Sequence, residues 1–231
     1  MLKELLYPPK CAGCKEILPA GNYVCDRCKK QLHYVKDPVC VICGKPLEDE
    51  EEGRCFDCKM APHIFSQNRS VFVYDALAKK MMYELKYHHN KDCAEFFGRE
   101  TVGILQNWIM ALKVDGIVPI PLHPERKRQR GYNQSELLAD RIGKACGIPV
   151  FPDYLLRSRA TRPQKELNDL QRKNNVKNAF LMGKNAVQLK RIMLLDDIYT
   201  TGATLDAAAA VLLEHGTQQV FGITVCIGRG F

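Results

Sequence analysis

The chain has 231 residues, of which 46% are hydrophobic and 26% charged, and it carries 11 cysteines and a formal charge of +8. That length and balance fit one or two ordinary globular domains and exclude a disordered, fibrous or low-complexity chain. No apolar run reaches the roughly 18 residues a membrane span needs, and the first ten residues are too short and too charged for a secretory leader, so a cytoplasmic protein without a membrane span is expected.

Eight cysteines lie before residue 60, as four C-x-x-C knuckles: Cys11/Cys14, Cys25/Cys28, Cys40/Cys43 and Cys55/Cys58. One knuckle presents two thiolates to a tetrahedral ion, so four knuckles make two Cys₄ sites. A disulfide framework is the rival, but it needs an oxidising compartment for which the sequence gives no sign. With four sulfur ligands and no open position, the expected zinc ions are structural, and they supply folding energy to a segment with few large apolar side chains. Sequential pairing of the knuckles and a crossed arrangement both fit the spacing. Gly13 and Gly44 suit tight turns, and Lys10, Lys15, Lys29 and Lys30 suit the anionic centres. The remaining thiols, Cys93, Cys146 and Cys226, read as small core residues. The acidic run over residues 48–52 reads as a solvated loop, and no internal repeat is evident.

Two domains are expected, a zinc module over residues 1–62 and an α/β domain over residues 63–231, with residues 61–65 as the joint. Strands are predicted over residues 69–75, 114–120 and 220–226, and helices over 77–87, 94–112 and 134–146. With the strand that ends at Asp196 and the helix after it, the alternation predicts a mostly parallel sheet. Residues 123–191 hold 16 basic and 6 acidic side chains, a local surface for anions, whereas residues 1–65 hold 10 of each. Residues 120–134, with Arg126, Lys127, Arg128 and Arg130, read as a basic loop at the carboxyl edge of the sheet. His123 reads as a hydrogen-bonding loop residue. Residues 157–180 are polar, cationic and interrupted by Pro163, and read as a mobile lid followed by a short helix.

The most specific stretch is residues 191–204. A buried apolar strand ends in Asp196-Asp197, and Thr200, Thr201, Gly202, Ala203 and Thr204 then lead into an Ala- and Leu-rich helix. Backbone N–H groups at a helix start, together with Thr hydroxyls, can cradle a phosphate, and two acceptor-only carboxylates suit a vicinal diol. A 5-phosphorylated ribose has both features.

This segment closely resembles the signature of type I phosphoribosyltransferases, which bind phosphoribosyl pyrophosphate (PRPP). The resemblance implies a parallel sheet of that kind, with Asp196 and Asp197 on the ribose hydroxyls and residues 200–204 around the 5-phosphate. It also implies Mg²⁺ with PRPP, and pyrophosphate held by Arg126, Lys127 and Arg130. The order of motifs narrows it further: four knuckles, Leu85-Lys86-Tyr87, Pro121-Leu122-His123, Arg130-Gly131-Tyr132-Asn133-Gln134, a run of matches from Arg159 to Phe180, and the acidic signature. Together these resemble the ComF family of phosphoribosyltransferase-like proteins of bacterial competence. That family implies a cytosolic role in uptake of single-stranded DNA with other competence proteins. The expected activity is phosphoribosyl transfer to a nitrogen nucleophile with release of pyrophosphate. The alternative is a PRPP or nucleotide sensor, or a single-stranded DNA platform with bases stacked on Tyr132, Tyr199 or Phe180.

Overall fold

A computed structural model describes residues 8–49, 53–158, 179–184 and 187–228. The predicted lid lies almost wholly outside the described residues, as do residues 50–52 of the acidic run and the motif positions from Arg159 to Val176.

The front of the chain forms the same unit twice. A hairpin closed by the bridge Lys10–Ile17 carries Cys11 and Cys14, and helix α1 (Asp26–Gln31) follows with Cys25 as its cap and Cys28 inside it. The bridge Val39–Pro46 then frames Cys40 and Cys43, and α2 (Phe56–Met60) follows, capped by Cys55 and holding Cys58. Cys40 stands 29 residues after Cys11, and Cys58 stands 30 after Cys28. The expectation of no repeat is therefore corrected. Besides the cysteines and turn geometry, Leu18 and Leu47, and Lys29 and Lys59, stand at matching places, too few side chains to make the repeat evident in the sequence. Each hairpin turns through a left-handed residue just after its second cysteine, Lys15 (φ 68°) in one copy and Gly44 (φ 76°) in the other. Gly13 serves space instead, because a Cβ there would lie 2.9 Å from Cys28 Sγ.

After the ribbons come β1 (Gln67–Val73), α3 (Ala76–Tyr87), α4 (Asp92–Ala111), β2 (Gly116–Pro119), α5 (Pro124–Arg130) and α6 (Gln134–Cys146). They are followed by β3 (Leu155–Arg157), β4 (Phe180–Met182), β5 (Arg191–Tyr199), α7 (Ala203–Glu214) and β6 (Gln219–Ile227). β3 and β4 form a small antiparallel pair; the other four strands form a parallel sheet in the order β1-β6-β5-β2.

β5 is apolar without alternation because both faces of the sheet are covered, and its successive side chains enter different cores. Met193 and Leu195 pack with α3, α4 and α6 through Met81, Met82, Leu85, Phe97, Leu138 and Ile142. Ile192 and Leu194 pack with α7, the β3–β4 pair and all four cysteines of the second ribbon. The buried positions of α3, Ala78, Met81, Met82 and Leu85, follow helical spacing, and Asp75 starts the helix by accepting the Ala78 N–H at 2.8 Å. Cys93, Cys146 and Cys226 are buried as expected.

The ribbons are not strung on a loose joint. Val35 N–H donates to the Val71 carbonyl, Val73 N–H to His33 and Asn68 N–H to Ile42, so ribbon backbone lies along the outer edge of β1. Ion pairs from Lys29 to Glu100 (2.7 Å) and from Lys15 to Glu84 tie the first ribbon to α4 and α3.

The segment expected to be a basic loop is the helix α5. His123 caps it, its Nδ1 accepting from Glu125 N–H at 3.4 Å, Pro124 opens it, and Gly131 (φ 74°) closes it in the left-handed region. Its seven residues bury no side chain, so no apolar period betrayed it.

Candidate functional site

Pro119 of β2 is in register with Leu195 of β5, and Ile120 N–H donates to the Leu195 carbonyl at 2.8 Å. β2 therefore ends just before the acid pair, and past it β5 is paired only with β6. The second helix after β2, α6, packs on one face of the sheet, and the helix after β5, α7, packs on the other. Departing in opposite directions, these connections leave a crevice at the carboxyl ends of β2 and β5, where open α/β sheets bind ligands.

Asp196 and Asp197 stand in that crevice. Asp196 Oδ1 accepts from the Asp197 N–H at 2.9 Å and from Ser135 Oγ at 3.3 Å. Burial, and then the charge of Asp197, push its carboxyl up to about 7, against the opposing pull of Lys86 and Arg157. Asp197 is buried and ion-paired to the Lys86 ammonium of α3. Arg157, at the end of β3, is held below its ordinary value by burial and by Arg126, and its guanidinium lies 5.3 Å from the Phe180 ring centre. Lys86 and Arg157 were not among the expected site residues. Leu85-Lys86-Tyr87 was visible as a motif, but only tertiary packing shows that its lysine meets Asp197.

Residues 200–204 turn from β5 into α7. Gly202 adopts φ 78°, and a Cβ on it would lie 2.6 Å from both His63 Cε1 and the Tyr199 hydroxyl. Thr201 Oγ1 is enclosed without a hydrogen-bond partner among the described residues, a cost of about 1–3 kcal/mol that an anionic oxygen reaching it would relieve. The orphaned hydroxyl, the left-handed glycine and the helix start together fit a phosphate group.

The expected cations divide. Arg126 sits close enough to Arg157 to depress it, and Arg130 binds Gln134 and lies 5.3 Å over the Tyr87 ring. Lys127 turns instead to Glu136, at 2.8 Å. The expected stacking rings are corrected outright: Tyr132, Tyr199 and Phe180 are buried, and the Tyr132 hydroxyl donates to the Leu85 carbonyl. Tyr83 and Tyr87 of α3 are open to solvent instead, with centroids 4.7 Å apart.

The eight knuckle cysteines gather as Cys11, Cys14, Cys25, Cys28 and as Cys40, Cys43, Cys55, Cys58, which settles the pairing as sequential. Within each group the sulfurs lie within 4.8 Å of one another; Cys14 and Cys25 are 3.7 Å apart, and Cys43 and Cys55 3.5 Å. A tetrahedron with zinc–sulfur bonds of about 2.3 Å places sulfurs about 3.8 Å apart, so both groups fit zinc. In the first group burial raises Cys11, but N–H bonds from Cys25, Cys14 and Gly13 outweigh it and lower the thiol to about 6. In the second, the bond from Cys43 leads in pulling Cys40 down to about 3. Thiolate is therefore available in each group for a metal to take up.

Two repeated Cys₄ ribbons joined to a parallel α/β sheet, with acids and a hydroxyl loop at its carboxyl edge, define the class. Residues 2–59 match the family model described as double zinc ribbon domain. The chain is homologous over most of its length to Competence protein ComFC of Bacillus subtilis, at 28% identity over 207 residues, 87% of this chain and 82% of that one. It is also similar to Competence protein F of Haemophilus influenzae (27% over 221 residues, 91% and 93% of the two chains). A third relative is DNA utilization protein YhgH of Escherichia coli K12 (28% over 221 residues, 94% and 96%).

Proposed function

We propose that the chain binds PRPP in the crevice between β2 and β5 and transfers its phosphoribosyl group to a nitrogen nucleophile, with release of pyrophosphate, in the handling of incoming DNA. The observation that carries this reading is the meeting, at one switch point, of the Asp196–Asp197 pair with residues 200–204. In this reading Asp196 and Asp197 accept from the ribose hydroxyls, and Lys86 pairs with Asp197. The N–H groups and hydroxyls of residues 200–204 take the 5-phosphate. Arg126 and Arg130, with Lys127 at the margin, face the pyrophosphate, which PRPP carries with Mg²⁺. Positioning and electrostatics supply the rate enhancement. The connection to competence and DNA utilisation is carried by the names of the relatives. Domain roles follow: residues 1–62 hold structural zinc, and residues 63–231 hold the ligand.

Calorimetric titration of the zinc-loaded protein with PRPP and Mg²⁺ tests the reading. Wild type should bind, and Asp196→Ala/Asp197→Ala should lose at least a hundredfold in affinity with its zinc content and circular dichroism unchanged. Equal affinity in the folded double variant would overturn it.

A second reading, a platform for single-stranded DNA, is favoured by one feature. Lys80, Tyr83 and Tyr87 are exposed at i, i+3 and i+7 on α3, beside Arg130. Stacked bases with flanking cations give sequence-tolerant, salt-dependent binding. Tyr83→Ala/Tyr87→Ala should then weaken oligonucleotide binding at least tenfold without altering PRPP affinity.

A further inference from the structure

His63 follows the last cysteine knuckle by five residues, yet it reaches the loop that leads into α7. Its side chain is only 6% exposed. Nδ1 lies 2.7 Å from Asp206 Oδ2, in the first turn of α7, and Nε2 lies 3.0 Å from the Tyr199 hydroxyl, at the end of β5. A carboxylate only accepts, so Nδ1 donates to it, and in that tautomer of the neutral ring Nε2 accepts from the Tyr199 O–H. The imidazole thus grips the residue before the loop and a residue just after it. Its Cε1 stands where a Cβ of Gly202 would fall, 2.6 Å away, so it also bears on the middle of the loop. The other Asp206 oxygen takes the Ile64 N–H at 2.8 Å, and the His63 ring stacks on Phe65 at 4.6 Å. Phe65 and Tyr199 belong to the same apolar cluster as Cys40, Cys43, Cys55 and Cys58.

We infer that His63 is a positioning residue that holds residues 200–204 in phosphate-binding form, and that it makes the second cysteine centre, and not the first, a support of that loop. The inference rests on the phosphate-loop reading above for its ligand, though the clamp itself is geometric. A histidine suits the task because one flat ring can donate to one partner and accept from another across its width. Alanine in its place leaves Tyr199 without its acceptor and Asp206 without its donor.

The test compares wild type, His63→Ala, Tyr199→Phe and the double variant, each zinc-loaded as full chain, by amide hydrogen exchange and PRPP titration. The Asp206 N–H, which donates to the Gly202 carbonyl at 2.9 Å, is the internal probe. In His63→Ala it should exchange at least tenfold faster while amides of α6 and the centre of β6 keep wild-type rates, and PRPP affinity should fall at least tenfold. Tyr199→Phe, which keeps the ring and removes only the hydroxyl, should show a smaller loss of the same kind. The double variant should be no worse than His63→Ala, because both changes cut one chain of hydrogen bonds. Wild-type exchange at Asp206 in His63→Ala, or losses that simply add, would overturn the inference. If His63→Ala does not fold, Tyr199→Phe decides on its own: unchanged Asp206 exchange and affinity overturn the clamp. Should wild type bind no PRPP, the ligand reading fails, and the exchange data still decide whether His63 holds the loop.

Discussion

Asp196 holds a proton that an unfolded aspartate would release near pH 4, because burial and Asp197 raise its carboxyl to about 7. The sign follows directly. Between those two values the native state binds more protons than the unfolded chain, so the contribution of the neutral form is complete below about pH 4 and is lost as pH rises through about 7. Asp196→Asn should therefore raise stability at pH 8 by about 1–2 kcal/mol, a figure reduced for the side chain's partial exposure, and should match wild type at pH 4. Denaturant titrations at the two pH values decide it, and equal effects at both would contradict the raised carboxyl. Gly202 gives a second expectation. With φ at 78° and His63 and Tyr199 crowding the space, Gly202→Ala should cost at least about 2 kcal/mol and disturb the loop first. Thermal unfolding within 1 °C of wild type would show that the loop relaxes freely.

Elements that bury a face were legible in the sequence. The helix expected over residues 134–146 is α6 (Gln134–Cys146) to the residue, since Asn133 caps it and Gly147 ends it in the left-handed region. The unbroken apolar stretch of β5 told of a strand covered on both sides. α5 was missed because it buries nothing, yet its end signals were present: Pro124 at the start, Glu125 in the first turn, Arg130 in the last and Gly131 beyond. At the site, Asp196, Asp197 and residues 200–204 were visible because they adjoin in the chain. Lys86, Ser135, Arg157, His63 and Asp206 were not, since each meets the site only through folding. The two ribbons also differ in a way spacing could not show. Cys14 and Cys25 of the first are partly open, whereas all four cysteines of the second are buried in the core with β5 and α7. Chelator challenge monitored with a chromogenic zinc indicator should release one equivalent at least tenfold faster than the other. Cys28→Ser should abolish the fast phase and leave PRPP affinity intact; a single phase for both ions would contradict the difference in burial.

At the scale of the molecule, metal module and sheet share one interior. Ala12 and Leu32 pack in the cluster that holds Phe72, Met81 and Phe97, and Lys29 and Tyr34 both bind Glu100. Residues 63–231 expressed alone should expose that interior, bind hydrophobic dye and unfold at least 10 °C below the full chain; an equal melting temperature would make the ribbons a mere appendage. The excess positive charge sits wholly in that second part of the sequence, which suits a crevice for a pyrophosphate ester.

The backbone bonds from His33, Val35 and Ile42 to β1 have an effect on how copies of this protein can meet. A parallel sheet of four strands has two open flanks, and bare flanks invite another chain to add a strand and so on into aggregates. Here one flank is taken by the ribbons, and the other is taken where Ile117 of β2 bonds Pro149 and Phe151. Among the described residues, neither flank of the four-stranded sheet offers a free run of donors and acceptors. The same cysteine-rich segment that steadies the fold thus keeps the four-stranded sheet from growing at β1.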